Sequence, residues 1–191
     1  MREYKRVHFE GLSLESYREK VLECRDKRFE ILQEMVRKFG HCVVVGANFP
    51  GQFKRTAEAK KVQLEAVRAI NHHLGVKRVY QRDESFLDGE FSFFAFHTYR
   101  EGRRAFKKRL VEIEESNYLG RFFDLDYYVL DLDDTIRCIS RLDINMRMRP
   151  CYICTEVAKV CVKKQTHSSQ ELFEVISKRV KNFKRWMNLW R

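Results

Sequence analysis

Two carboxylates set two residues apart carry the strongest chemical suggestion in this 191-residue chain. They stand in the run Gly120-Arg121-Phe122-Phe123-Asp124-Leu125-Asp126. On an extended strand the side-chain period of two puts Asp124 and Asp126 on one face, with Cα atoms about 7 Å apart, while Phe123, Leu125 and Tyr127 point the other way. Hard divalent cations such as Mg²⁺ take carboxylate oxygens, commonly one or two together with substrate phosphates. Arg121 adds a planar donor suited to phosphate. The run therefore reads as a phosphoryl-transfer seat, with Asp124 and Asp126 as Mg²⁺ ligands. The alternative is ordinary sheet grammar, in which an antiparallel strand shows two aspartates to water. Asp131, Asp133 and Asp134 read as a turn, where aspartate bonds its own backbone.

A second constellation lies downstream. Cys151-x2-Cys154-x6-Cys161-x5-His167 puts three thiols and one imidazole within seventeen residues. That set could fill a tetrahedral structural zinc site. Small thiols also serve as buried core, and His167 could instead cap a helix or bond a phosphate. Cys24, Cys42 and Cys138 fall in helix or strand patterns and read as packing residues.

Basic residues supply the complementary charge. Arg25 and Arg28, three apart on a helical pattern, project from nearby faces and could grip one polyanion together. Asn48-Phe49-Pro50-Gly51-Gln52-Phe53-Lys54 joins a strand to a helix, where backbone N–H groups can meet phosphate and Lys54 adds charge. Lys178, Arg179, Lys181, Lys184 and Arg185, with Trp186 and Trp190, read as the basic face of a docked terminal helix rather than as an RNA or membrane contact.

These residues need a scaffold. Apolar residues recur at helical spacing from Leu14 to Phe39 and from Thr56 to Leu74, with Gly75 as a stop. A basic helix is expected from Glu101 to Glu115, and a terminal one from Ser169 to Leu189. His41–Phe49, Val76–Gln81, Phe91–Tyr99, Phe122–Leu130 and Thr135–Arg141 read as strands, with Asp88-Gly89 favouring a hairpin turn. The fold class predicted is α+β: a mixed or largely antiparallel sheet packed with helices. Residues 1–191 are expected to form a single domain, in which 145–191 is a C-terminal segment holding the Cys/His cluster and a helix. Prolines at 50 and 150 alone mark a seam near Pro150.

Composition excludes some classes. A share of 44% hydrophobic residues argues against a disordered chain even with 34% charged ones. The net charge of +11 favours a polyanionic or acidic partner. With no apolar run of membrane-spanning length and no export signal, the expectation is a cytoplasmic protein with reduced thiols and no membrane partner.

Taken in order, the motifs resemble the apo-citrate lyase phosphoribosyl-dephospho-CoA transferase family (CitX), the holo-acyl-carrier-protein synthase of citrate lyase. Arg25-Asp26-Lys27-Arg28 is similar to its Arg-acid-x-Arg element, and Asn48-Phe49-Pro50-Gly51 with Lys54 to its Asn-x-Pro-Gly loop. Gly120 to Asp126 matches Gly-Arg-x-x-Asp-x-Asp, and Ile139-Ser140-Arg141 follows at nearly the family distance. Arg149-x-Cys151-x2-Cys154-x6-Cys161-x5-His167 with Glu171-Leu172 matches the C-terminal signature. Pro150 between Arg149 and Cys151, and Gln52 where the loop often has proline, depart from the pattern and bear on loop shape.

The resemblance implies a nucleotidyltransferase-type enzyme. Its donor would be 2′-(5″-triphosphoribosyl)-3′-dephospho-CoA and its acceptor a serine of the citrate lyase acyl carrier (gamma) subunit, with pyrophosphate released. On this reading Asp124, Asp126 and Arg121 are catalytic, Mg²⁺ is the cofactor, and a structural Zn²⁺ is optional at the cysteines. Arg25, Arg28, Asn48, Gly51, Lys54, Arg141, Arg149 and His167 bind substrate, and no nucleic acid is involved. The rival readings are a basic nucleic-acid-binding protein, a zinc-stabilised interaction module, and a related transferase acting on another carrier.

Overall fold

The central strands, His41–Ala47 and Gly89–Phe96, carry apolar residues on both faces, so the sheet needs cover on both sides. The structure, a computed structural model, describes residues 14–97 and 102–189, with side chains from 15 to 183. Along the chain come α1 (Leu14–Phe39), β1 (His41–Ala47), α2 (Ala57–His73), β2 (Arg78–Phe86), β3 (Gly89–Phe96) and α3 (Gly102–Ser116). β4 (Phe123–Leu130), β5 (Ile136–Ile139), α4 (Ala158–Lys164) and α5 (Ser169–Leu189) follow. The strands form one sheet in the order β2-β3-β1-β4-β5, and every pairing is antiparallel. The α+β expectation holds.

The β-branched run of β1 occupies the centre, where burial on both faces favours such residues. One face of the sheet, with Val43, Val45, Phe94, Leu125 and Tyr127, packs against α2 and α3, and α5 joins this core against α2 and the loop after β1. The stripe Phe173, Ile176, Val180 and Phe183 docks α5 there at i, i+3, i+7 spacing. The opposite face is covered by α1, through Ile31, Leu32, Met35 and Val36 against Cys42, Phe93 and Ala95. Only the C-terminal part of α1 is used this way; Leu22 and Phe29 stay exposed.

Local chemistry sets the element ends. Thr56 caps α2 by accepting the Ala59 N–H at 3.2 Å, and Gly75 beyond it adopts φ +67°. Ser168 and Glu171 form a reciprocal capping box at the start of α5: Glu171 Oε2 accepts the Ser168 N–H at 2.8 Å, and Ser168 Oγ accepts the Glu171 N–H at 3.2 Å. Glu171 of the C-terminal signature is thus a helix-start residue.

Two expectations shift. The strand expected to end at Gln81 runs on to Phe86, with Asp83, Glu84 and Ser85 paired with Ser92, Phe91 and Glu90. α4 is an additional short helix. Tyr99 and Glu101, the expected element ends, lie outside the described residues, as do the side chains of Lys184, Arg185, Trp186 and Trp190. Among the described residues no helix is long and apolar enough to cross a membrane.

Candidate active site

The pleat of β4 sorts its side chains as its sequence predicts. Phe123, Leu125, Tyr127 and Val129 are buried, and Asp124 and Asp126 lie on the face toward α1. Antiparallel register sets Asp124 opposite Gly46 and Asp126 opposite Val44. Both aspartates line a cavity of about 240 Å³ that also receives Arg25 and Arg28 from α1 and Lys54 from the loop after β1. Residues distant in sequence thus meet at one pocket.

Neither aspartate makes a hydrogen bond or ion pair with a described side chain. Burial, and next the Asp124 charge, push the Asp126 carboxyl up to about 6. Lys107 and Arg149 pull it down only in part. Two unpaired carboxylates sharing a half-buried pocket suit a hard dication, whose charge would relieve their repulsion and whose oxygen preference they satisfy.

Arg28 is positioned from three sides. Its guanidinium lies 4.4 Å from the centroid of the Phe91 ring and 5.7 Å from that of Phe86. It also pairs with Asp88 in the β2–β3 turn, whose Oδ2 is buried without a partner. Gly46 makes room for this stack, since a Cβ there would approach the Phe91 ring to 3.0 Å. Arg25 is more exposed and faces the same pocket.

Arg121 sits on the one-turn 3₁₀ helix Gly120–Phe122 just before β4. It donates to the Pro150 carbonyl, lies 4.6 Å over the Tyr152 ring, and keeps Nη1 buried and unpartnered. It lines two neighbouring hollows. One, of about 610 Å³, is walled by Asn48, Gly51, Arg149, Tyr152 and His167; the other, of about 550 Å³, by Arg141, Arg149 and Glu114. Asn48 is fixed at this junction: its N–H donates to Phe122 O at 2.8 Å and its carbonyl accepts the Tyr152 hydroxyl at 2.9 Å.

The loop Asn48–Lys54 therefore serves the large hollow with its first half and the acidic pocket with Lys54. The run Arg121–Asp124 spans the same two spaces. Arg141 lines the second hollow beside Arg121 and Arg149. It is taken up by Glu114 at 2.6 Å and Glu115 at 2.8 Å and does not reach the acidic pocket. Arg149 pairs with the same buried Glu114 and donates to Phe123 O at 2.9 Å, so Glu114 is the shared brace of both arginines.

Glu114 and Lys107 were not among the expected site residues. Lys107 is buried and donates to Leu125 O at 2.8 Å, where the shorter β5 leaves that carbonyl uncovered. The available signal was their place at i and i+7 on the apolar stripe of α3, with Leu110 and Val111. The four residues Cys151, Cys154, Cys161 and His167 converge, with their ligand atoms all within 4.8 Å of one another. His167 thus lies at once in this cluster and on the wall of the large hollow.

The Streptococcus pyogenes serotype M5 (strain Manfredo) protein named "Probable apo-citrate lyase phosphoribosyl-dephospho-CoA transferase" is 25% identical over 181 residues, covering 94% of this chain and 92% of its own. A Vibrio cholerae serotype O1 (strain ATCC 39541 / Classical Ogawa 395 / O395) protein of the same name is 30% identical over 132 residues, covering 68% of this chain and 71% of its own. Protein CitXG of Leuconostoc mesenteroides subsp. cremoris is 26% identical over 167 residues, 86% of this chain. The chain spans about a third (35%) of that CitXG protein's length. The family profile described as Apo-citrate lyase phosphoribosyl-dephospho-CoA transferase matches residues 17–183, so the chain belongs to the CitX family.

Proposed function

We propose that the protein transfers 2′-(5″-phosphoribosyl)-3′-dephospho-CoA from its triphosphate precursor to a serine of the citrate lyase acyl carrier subunit, releasing pyrophosphate in the cytoplasm. The observation that carries this reading is the pair of unpaired carboxylates, Asp124 and Asp126, facing Arg25, Arg28 and Lys54 across one small pocket. Family membership supplies the donor and acceptor classes.

The serine hydroxyl is a poor nucleophile and the α-phosphorus it attacks is anionic, so positioning and charge neutralisation dominate the problem. Asp124 and Asp126 would hold Mg²⁺, which supplies neutralising charge at the phosphates when bound. Arg25, Arg28 and Lys54 bind the triphosphate from the opposite wall. The dephospho-CoA portion occupies the large hollow, where the Arg121 guanidinium, stacked on Tyr152, contributes positive charge to the phosphates. The serine Oγ–P bond forms as the bond from the α-phosphorus to the β-phosphate oxygen breaks. Pyrophosphate leaves against the cationic wall, and a carboxylate of the pair takes the serine proton. Arg141, held by Glu114 on the wall of the neighbouring hollow, adds its positive charge to phosphate binding.

Incubating the apo carrier subunit with the purified protein, the triphosphoribosyl donor and Mg²⁺ tests this directly. Intact-mass spectrometry should register one added prosthetic group. An unshifted carrier, with folded protein and fresh donor, overturns the proposal.

A further inference from the structure

The segment between β5 and α5 lacks a core of its own. Between Leu142 and Ser168 only Cys161 is buried, and α4 is just seven residues long. Yet this segment supplies Arg149, the Pro150 carbonyl that receives Arg121, and Tyr152, which stacks on Arg121 and bonds Asn48. A stretch so poor in buried apolar surface needs another source of order to hold such contacts.

Its side chains point to that source. Cys154 Sγ lies 3.4 Å from Cys161 Sγ and 3.3 Å from His167 Nε2. Ligand atoms on a tetrahedral zinc with Zn–S of about 2.3 Å sit about 3.8 Å apart, so a small outward adjustment admits the ion. The Ile153 N–H points at Cys151 Sγ at 3.5 Å. The backbone is closed around the cluster by the Pro150–Val157 bridge, with Cys151 N–H donating to Glu156 O at 2.7 Å and Ala158 N–H to Arg149 O at 2.9 Å.

We propose that Cys151, Cys154, Cys161 and His167 form a structural zinc site that fixes the wall of the large hollow. Four protein ligands complete a tetrahedron and leave no open position, which assigns the ion a structural role. Three thiolates and one Zn²⁺ sum to a charge of −1, matched to Arg121 and Arg149 on the same wall. The ion ties the loop after Pro150, α4 and the loop before α5 into one unit, and so adds to the contact of Tyr152 with Phe122 in ordering Tyr152 and Arg149. The site stands whether or not the transferase reading holds, because its ligands and its test are independent of turnover.

The full-length protein, purified without added chelator, should contain about one zinc per chain by elemental mass spectrometry. Replacement of the ion by Co²⁺ should give the intense visible bands of a tetrahedral thiolate site. Cys154→Ser and His167→Ala should lose the zinc or bind it far more weakly, whereas Cys24→Ser should keep it. Metal-free folded wild-type protein that also fails to take up Co²⁺ under reducing conditions overturns the site. Zinc retained at full stoichiometry and affinity in a folded Cys154→Ser/His167→Ala double variant overturns it equally.

Discussion

Gly120 passes directly beneath the last turn of α3, against the backbone of Glu114. A Cβ at Gly120 would overlap the Glu114 carbonyl and stand 2.9 Å from its Cα. The first residue of the Gly-Arg-x-x-Asp-x-Asp run is therefore glycine for a packing reason. Gly120→Ala should destabilise the protein by about 2 kcal/mol or more, since backbone must move to admit one methyl group. The urea unfolding midpoint checks this; an unchanged midpoint would contradict the close approach.

Asp126→Asn should abolish carrier modification while leaving the far-ultraviolet spectrum and carrier binding intact. The amide keeps the shape and removes the charge that the metal requires. Undiminished turnover, measured by carrier mass, would remove Asp126 from the chemistry.

The same residue predicts a pH dependence. Its carboxyl is raised from an ordinary 3.8 to about 6, so the folded chain binds that proton more tightly than the unfolded chain. The resulting contribution to stability is complete below about pH 4 and is lost as pH rises through about 6. In Mg²⁺-free buffer the melting temperature of the wild type should therefore fall between pH 5 and pH 7.5 relative to that of Asp126→Asn. Added Mg²⁺ should recover it at pH 7.5 in the wild type alone. Scanning calorimetry at the two pH values decides.

Arg121→Lys should lower the rate by a factor on the order of 10² to 10³. A lysine retains the charge but loses the planar stack on Tyr152 and the second donor that remains after the Pro150 carbonyl is served. Steady-state kinetics with the soluble donor would register it; wild-type turnover would count against the guanidinium contact.

Charge steering gives a further expectation. With a net charge of +11, encounter with an acidic carrier should be accelerated at low salt and slowed markedly as salt is raised. Initial rates across a salt series measure it, and a flat response would exclude steering.

Much of this was legible in residue order. The period-two pattern of β4 put both aspartates on one face, and the helical stripes of α1, α2 and α5 fell where the structure has them. The x2 cysteine spacing likewise foretold the convergence of the four side chains to within 4.8 Å. What sequence withheld was tertiary. Asp83 to Ser85 have loop-forming side chains, but pairing with β3 overrides that local preference. α4 is too short and too exposed to show a helical stripe. Nothing local to Arg141 reveals that Glu114, twenty-seven positions earlier, holds its guanidinium.

All seven residues of β1 are paired along β4, from His41 with Val129 to Ala47 with Phe123. A slip of one position would turn Asp124 and Asp126 into the apolar layer beneath and lift Phe123 and Leu125 into the pocket. Such a misaligned chain would bury two charges and expose two large side chains at once. The greasy side of the strand thus proofreads its acidic side: a molecule that has folded stably has, by that fact, aimed its carboxylates correctly.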